Sequence, residues 1–201
     1  MSDTERLRFD PRWVDRASKS AAEALTAQAA RRRLVDIGFS FVDSPFGRLL
    51  LARTRIGLVR LAYPNERPDD VLDELAERLS PRVLEVPAML DEERRELEDY
   101  FAGTRQAFAL RVDFSLLREG FSRRVLEATA RVPFGSVTTY REVAAEAGSP
   151  RGARAAGNAL GSNPIPIVVP CHRVLHSGGG LGGYTGGLDR KVTLLELEGA
   201  L

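Results

Sequence analysis

The chain has 201 residues, 43% of them apolar and 28% charged, and a net charge of +1. That is the balance of a globular protein with one large or two small domains, and no apolar run approaches the roughly 20 residues that span a bilayer. The single cysteine excludes an internal disulfide and a multi-cysteine zinc site.

The opening Met1-Ser2-Asp3-Thr4-Glu5-Arg6 is acidic and lacks an apolar signal core, which points to an intracellular protein. Residues 1–36 form an Ala- and Arg-rich extension, with a candidate helix over Ala17–Leu34. Residues 37–62 read as a β-meander. Phe39, Phe41 and Val42 lead into the turn Ser44-Pro45-Phe46-Gly47, and Leu49–Ala52 and Leu58–Leu61 follow as short apolar runs. Val71, Leu72, Leu75 and Leu79 recur at helical spacing and predict a helix over 68–80. A second helix is expected over 89–101, ended by Gly103, and a short strand at Phe108-Ala109-Leu110. The segment 64–100 is rich in acids, whereas basic residues modestly outnumber acids from 120 onward. Any basic DNA surface therefore belongs to the C-terminal part.

From residue 120 the pattern is helical. Phe121–Arg131 stops at Pro133 and Gly135. Thr139-Tyr140-Arg141-Glu142 matches a capping box, opening a helix that ends at Gly148. Ser149-Pro150 is expected to cap the next helix, 151–161. Two helices joined so tightly form a helix-turn-helix candidate. The second helix is small-sided, with Ala153, Ala155, Ala156, Gly157, Ala159 and Gly161. It fits either close packing on a neighbour or close approach to a DNA backbone. Arg151, Arg154 and Asn158 are expected to share one of its faces. Asp189–Glu198 reads as the final helix, closed by Gly199.

The densest chemistry lies at Asn163-Pro164-Ile165-Pro166-Ile167-Val168-Val169-Pro170-Cys171-His172-Arg173-Val174. Its prolines make the backbone stiff, so a nucleophile can be held there at little cost in ordering. A free cysteine is mostly thiol at neutral pH and needs a base or a positive charge to ionise. His172 can accept that proton, directly or through a water, and Glu198 can orient the imidazole. Adjacent side chains on an extended segment point in opposite directions. That leaves open whether Cys171 and His172 meet, and Glu198 is equally a solvated carboxylate of a last helical turn. The glycine-rich run Ser177–Gly187 carries one aromatic, Tyr184. It lacks the lysine and helix order of a phosphate-binding P-loop and reads as a pocket lip for a flat ligand.

Pro170-Cys171-His172-Arg173-Val174 resembles the signature of the O6-alkylguanine-DNA alkyltransferases. Phe121–Leu126, Val132–Tyr140, Gly161-Ser162-Asn163-Pro164 and Gly183–Leu188 resemble that family in order and spacing. Tyr100-Phe101-Ala102-Gly103 resembles it more loosely, and residues 1–36 fall outside the likeness. The resemblance implies an RNase H-like α/β domain at 37–115, a small antiparallel sheet with helices. It implies a mainly α, winged-helix-like domain with a helix-turn-helix at 116–201. It implies irreversible, stoichiometric transfer of an alkyl group from O6-alkylguanine, and from O4-alkylthymine, in double-stranded DNA to Cys171. His172 would then be the base, Glu198 its orienting carboxylate, and Asn163 the brace of the active-site loop. Tyr140 would help rotate the nucleotide and protonate the departing guanine.

Arg154 would fill the gap in the duplex, with Arg151, Ala153, Ala155, Gly157 and Tyr140 in the DNA surface entering the minor groove. The Val174 carbonyl, Leu160, Ser177, Tyr184 and Thr185 would line the base pocket. Thr185 stands where the family often has serine and keeps its hydroxyl. No cofactor and no structural zinc are expected. The protein is expected to be a monomer of bacterial type, cytoplasmic and associated with the nucleoid. The sulfur at 171 is expected to be held ionised and open to a guanine swung out of its helix. Three rivals stand beside this reading: a lesion-binding protein without transfer, a helix-turn-helix transcription regulator, and a Cys-His-Glu hydrolase.

Overall fold

The computed structural model describes residues 34–201, together with Ser20, Ala21, Ala24, Thr26 and Gln28, which are helical. The rest of the expected helix at Ala17–Leu34 lies outside the described residues, save for Leu34, which is not helical. Strands β1 (Ile37–Val42), β2 (Leu49–Arg53) and β3 (Leu58–Ala62) form the expected antiparallel meander. The Ser44 hydroxyl closes its first turn by donating to the Gly47 carbonyl at 2.6 Å. Helix α1 (Pro68–Arg78) follows, with proline in its first turn and Asp69 and Asp70 at its positive end. Strand β4 (Val83–Glu85) then pairs parallel to β1, giving the order β3-β2-β1-β4 and a mixed sheet. Its three residues are too few to show a period.

Helix α2 (Asp91–Phe101) completes this half. Leu50, Ala52, Val59 and Ala62 cover one face of the sheet with Val71 and Leu75 of α1. Leu49, Leu51, Leu58 and Leu61 cover the other, against Leu97 and Tyr100 of α2, and that core runs on into the C-terminal half. Because both faces are buried, β2 and β3 read as unbroken apolar runs rather than alternating ones.

The strand expected at Phe108-Ala109-Leu110 does not form. The Ala109 N–H is taken by the Glu96 carboxylate at 2.8 Å instead of a ladder carbonyl. Pairing is confined to a bridge between Val112 and Leu58, with Leu58 N–H donating to the Arg111 carbonyl at 2.8 Å. Gly57 makes that approach possible, because a Cβ there would collide with the Arg111 carbonyl.

The C-terminal half holds α3 (Phe121–Thr129), β5 (Thr138–Thr139), α4 (Tyr140–Glu146), α5 (Ala153–Gly161), β6 (Val174–Leu175) and α6 (Leu188–Leu197). Thr139 and Glu142 form the expected capping box at the head of α4. Ser149 and Pro150 do not cap α5. The Gly152 N–H donates to the Ser149 carbonyl at 2.8 Å. This closes a separate turn, and the helix starts at Ala153. Arg151 therefore sits in that turn and does not share a helical face with Arg154 and Asn158.

Two short pairings position the site. Parallel pairing of β5 with β6 sets Thr138 beside Val174 and Thr139 beside Leu175. This brings the first residue of α4, Tyr140, next to the chain leaving Cys171. The Leu61 N–H of β3 donates to the Pro164 carbonyl at 2.9 Å, so the sheet edge grips the proline-rich loop. Substitution Gly57→Ala is expected to destabilise the fold by about 1–3 kcal/mol through overpacking at the β3 contact. Urea unfolding measures this, and a wild-type midpoint would count against the close approach.

Candidate active site

Cys171, His172 and Arg173 form a single 3-10 turn, not an extended segment, and all three are buried. The turn follows a loop under backbone strain: Ile167 is β-branched yet has φ of 74°. Asn163 holds that loop from within. Its Nδ2 donates to the Val169 carbonyl at 2.8 Å and to Cys171 Sγ at 3.1 Å, and its Oδ1 accepts the Ile165 N–H at 3.0 Å. A backbone N–H can face only the amide oxygen, so the side chain's orientation is assigned from this network.

Behind the cysteine lies one carboxylate with three partners. Glu198 Oε1 meets His172 Nε2 at 2.9 Å and accepts the Tyr100 hydroxyl at 2.6 Å. Arg173 binds the same carboxylate in bidentate fashion, Nε to Oε2 at 2.8 Å and Nη2 to Oε1 at 2.9 Å. Burial works to raise the Glu198 carboxyl, but hydrogen bonds from His172 and Arg173 outweigh it and hold it at about 2. Glu198 is therefore ionised and can only accept. Burial pushes the His172 imidazole down, so it is neutral at neutral pH. Its one proton must then sit on Nε2, and Nδ1 is left bare. Nδ1 is buried and has no hydrogen-bond partner among the described residues. That is a proton acceptor kept free.

The sulfur itself is not ionised at rest, contrary to expectation. Burial raises the Cys171 thiol to about 11, against the opposing effects of the Asn163 amide and the Lys191 charge. Lys191 is buried and donates to the Val174 carbonyl at 2.7 Å and to the Leu181 carbonyl. Desolvation lowers its ammonium to about 8.

Cys171 faces a cavity of about 690 Å³ whose lining includes Tyr140, Arg154, Leu160, Tyr184 and Thr185. Ala153 and Gly157 also line it, whereas Ala156 and Ala159 are buried in the core and Ala155 and Arg151 face outward. The small residues of α5 thus serve both packing and access. Tyr140 lies against the glycine run, its hydroxyl 3.4 Å from the Gly183 carbonyl and its ring 5.1 Å from that of His176. Burial raises its phenol, so it carries its proton. Thr185 Oγ1 donates to the Gly161 carbonyl at 2.8 Å. Ser177 is exposed and Val174 fully buried, and neither lines the cavity.

Four residues at this site escaped the sequence reading: Tyr100, Arg173, Lys191 and Tyr63, whose hydroxyl lies 2.7 Å from that of Tyr184. Tyr100 and Arg173 lie in stretches already singled out, Tyr100-Phe101-Ala102-Gly103 and Pro170–Val174, but their common partner, Glu198, is far away in the chain. Nothing local marks Lys191 or Tyr63.

Comparison with known proteins accords with this geometry. The chain matches the DNA-binding domain of 6-O-methylguanine DNA methyltransferase over residues 120–200 and that protein's ribonuclease-like domain over residues 37–114. It belongs to the O6-methylguanine-DNA methyltransferase family. A methylated-DNA–protein-cysteine methyltransferase of Methanosarcina barkeri is 37% identical, covering 80% of this chain and 96% of the relative. That of Mycobacterium leprae is 40% identical, covering 78% of this chain and 89% of the relative. The crystal structure of Mycobacterium tuberculosis OGT in complex with DNA superposes with a TM-score of 0.69 at 36% identity. It covers 81% of this chain and 93% of that one.

Two predictions follow the electrostatics of this family member. Alkylation of Cys171 by iodoacetamide, without DNA, is expected to rise about tenfold per pH unit until the thiol titrates near 11. A plateau already at pH 7 would show a resting thiolate. Glu198 has a lower carboxyl value folded than its ordinary 4.5, so its contribution to stability is full above that value and is lost as pH falls toward about 2. Substitution Glu198→Gln is expected to remove that acid-sensitive part. At neutral pH it is expected to cost about 3–5 kcal/mol, because the Arg173 charge stays buried without its counter-ion. Circular dichroism during acid titration checks both, and parallel acid profiles would exclude Glu198 as the source.

Proposed function

We propose that this chain repairs DNA by direct reversal, moving the alkyl group of O6-alkylguanine, and of O4-alkylthymine, irreversibly onto Cys171. The observation that carries the reading is the lone cysteine facing a cavity with ample room for a purine, next in the same turn to His172, whose Nδ1 is bare and whose Nε2 is held by an ionised Glu198. A base in a duplex is out of reach of a buried sulfur, so the damaged nucleotide must be swung out of the stack. That costs a few kcal/mol. Arg154, at the cavity mouth, fills the gap left behind, and Tyr140 helps the rotation. Ala153, Ala155 and Gly157 let α5 sit deep in the minor groove, with Arg151 on the phosphates.

In the transfer step the thiol proton passes to His172 Nδ1, directly or through a water. The sulfur then bonds to the alkyl carbon as the carbon–O6 bond breaks. Guanine takes a proton from the Tyr140 phenol, and the imidazolium returns one to the tyrosinate through solvent. Glu198 stabilises the imidazolium while it lasts. Asn163 Nδ2 steadies the sulfur as charge develops, and Leu160, Tyr184 and Thr185 enclose the base. The Val174 carbonyl already holds Lys191, so any contact it makes with the base uses its second lone pair. Ser177 would reach the base only if the glycine run folds inward on DNA. The thioether product is stable, and one protein molecule repairs one lesion.

The reading divides the chain into an extension at 1–36, an N-terminal domain at 37–115 and a DNA-binding, transferring domain at 116–201, acting as a monomer in the bacterial cytoplasm. No helix among the described residues is long and apolar enough to cross a membrane. The test is mass spectrometry after incubation with an O6-methylguanine duplex. One methyl is expected on the Cys171 peptide, in one-to-one stoichiometry. The Cys171→Ala variant is expected to bind the duplex and transfer nothing. An unmodified peptide in the wild type would return the protein to lesion binding alone. Repeated turnover would point to a hydrolase.

A further inference from the structure

The wall of the reaction cavity is held from the other half of the molecule. Tyr184 is the only aromatic in the run Ser177–Gly187, where seven of eleven residues are glycine. Such a run has few side chains with which to fix itself, Thr185 on the Gly161 carbonyl being one. The Tyr184 hydroxyl lies 2.7 Å from the hydroxyl of Tyr63, the residue that follows β3. Tyr63 is 3% exposed and its ring meets that of Tyr184 edge-on at 6.3 Å. Tyr63 is itself fixed. Phe46 packs on it at 6.1 Å, and the Arg190 guanidinium lies 4.7 Å from its ring centre. Arg190 also donates to Asn65 Oδ1 at 2.6 Å and to the Gly186 carbonyl at 2.7 Å. At Gly186 a Cβ would come within 2.8 Å of both tyrosine rings, so the two rings leave room for glycine alone. On its other side Tyr184 meets the His172 ring edge-on at 6.4 Å.

We propose that Tyr63, a residue of the N-terminal domain, is a specificity-determining residue: its hydroxyl fixes the Tyr184 wall and so sets the size of the alkyl group the cavity accepts. This rests on the transfer reaction proposed above. The physical reason is the fate of a buried hydroxyl. Without Tyr63's oxygen the Tyr184 hydroxyl has no partner where it lies, and an unpaired buried polar group is driven to move or to hydrate. The run is tied at Leu181, Thr185 and Gly186, but the Tyr184 ring loses the one hydrogen bond that holds its far end, and glycine neighbours let it shift. A yielding wall admits a bulky group and holds a small one less closely for in-line attack.

The experiment measures single-turnover transfer rates from O6-methylguanine and O6-benzylguanine duplexes to wild type and Tyr63→Phe. Each rate is normalised to active protein by titration of methyl uptake, and thermal unfolding is recorded alongside. The benzyl-to-methyl rate ratio is expected to rise about tenfold in the variant, the scale on which a small change of pocket fit discriminates substrates. A loss of folded protein scales both rates equally and leaves the ratio alone. An unchanged ratio, or one that shifts toward methyl, overturns the proposal. If Tyr63→Phe does not accumulate folded, Tyr184→Phe deletes the same bond from the other side. The wall then loses its anchor without an unpaired hydroxyl of its own, so the ratio is expected to rise in the same direction but by less, and an unchanged ratio overturns the proposal there too. Failure of the transfer reading itself shows separately, as wild type that takes up no methyl.

Discussion

The carboxylate of Glu198 is the point at which the Cys171–Arg173 turn, the final helix and the N-terminal half are tied together. It is buried, and a buried charge persists only if it is paired and hydrogen-bonded. Arg173 neutralises it, Tyr100 adds a hydroxyl from α2, and His172 takes the remaining acceptor capacity. Each partner has a second effect. Arg173 also reaches the Val132 carbonyl, fixing the chain between α3 and β5. Tyr100 anchors the core shared by the two halves. His172 is left with its proton on one nitrogen and a lone pair on the other. The tautomer that a base requires is thus a by-product of satisfying a buried carboxylate.

The cysteine is placed by a different device. The loop before it is stiffened by prolines, strained at Ile167 and held by the Asn163 side chain and the β3 edge. A residue in a strained conformation persists only when its surroundings over-determine it. Here the surroundings are the Leu61–Pro164 hydrogen bond on one side and the Asn163 amide on the other. The N-terminal sheet therefore does more than cover a face of the C-terminal domain. Through β3 it sets the height of the loop that carries Cys171, and through Tyr100 and Tyr63 it reaches Glu198 and Tyr184.

What could be read from the sequence follows from the range of the interactions. The capping box at Thr139–Glu142 is local, and it appears where its spacing says. The meander is local too, since its strands are joined by turns of a few residues. The strand expected at Phe108-Ala109-Leu110 failed because a distant group, Glu96, claims its backbone donor. The cap expected from Ser149 failed because Gly152 closes a competing turn. At the site, Cys171, His172 and Asn163 lie in one stretch, the residues themselves offered Glu198 and Tyr184, and the resemblance added Tyr140 and the role of Asn163. Tyr63, Tyr100 and Lys191 act only through partners far away in the chain, so no spacing rule could find them. The same limit misplaced Arg151, whose helical face exists only if the helix starts two residues sooner.

The protonation state of the sulfur looks at first like an obstacle. A thiol held near 11 is a poor nucleophile at neutral pH. For a protein that is consumed by one reaction, however, a permanently ionised sulfur would meet other electrophiles before it met its lesion. Burial suppresses that loss, because it disfavours the thiolate when no substrate is present. Two groups that favour ionisation, the Asn163 amide and the Lys191 charge, already act on the sulfur, and the Nδ1 of the neighbouring His172 is unpaired. What is missing is an electrophilic carbon in the cavity to take the electron pair as the proton leaves. Reactivity is then conditional on occupancy, and the burial that raises the thiol and the closeness of the pocket wall are two aspects of one selectivity.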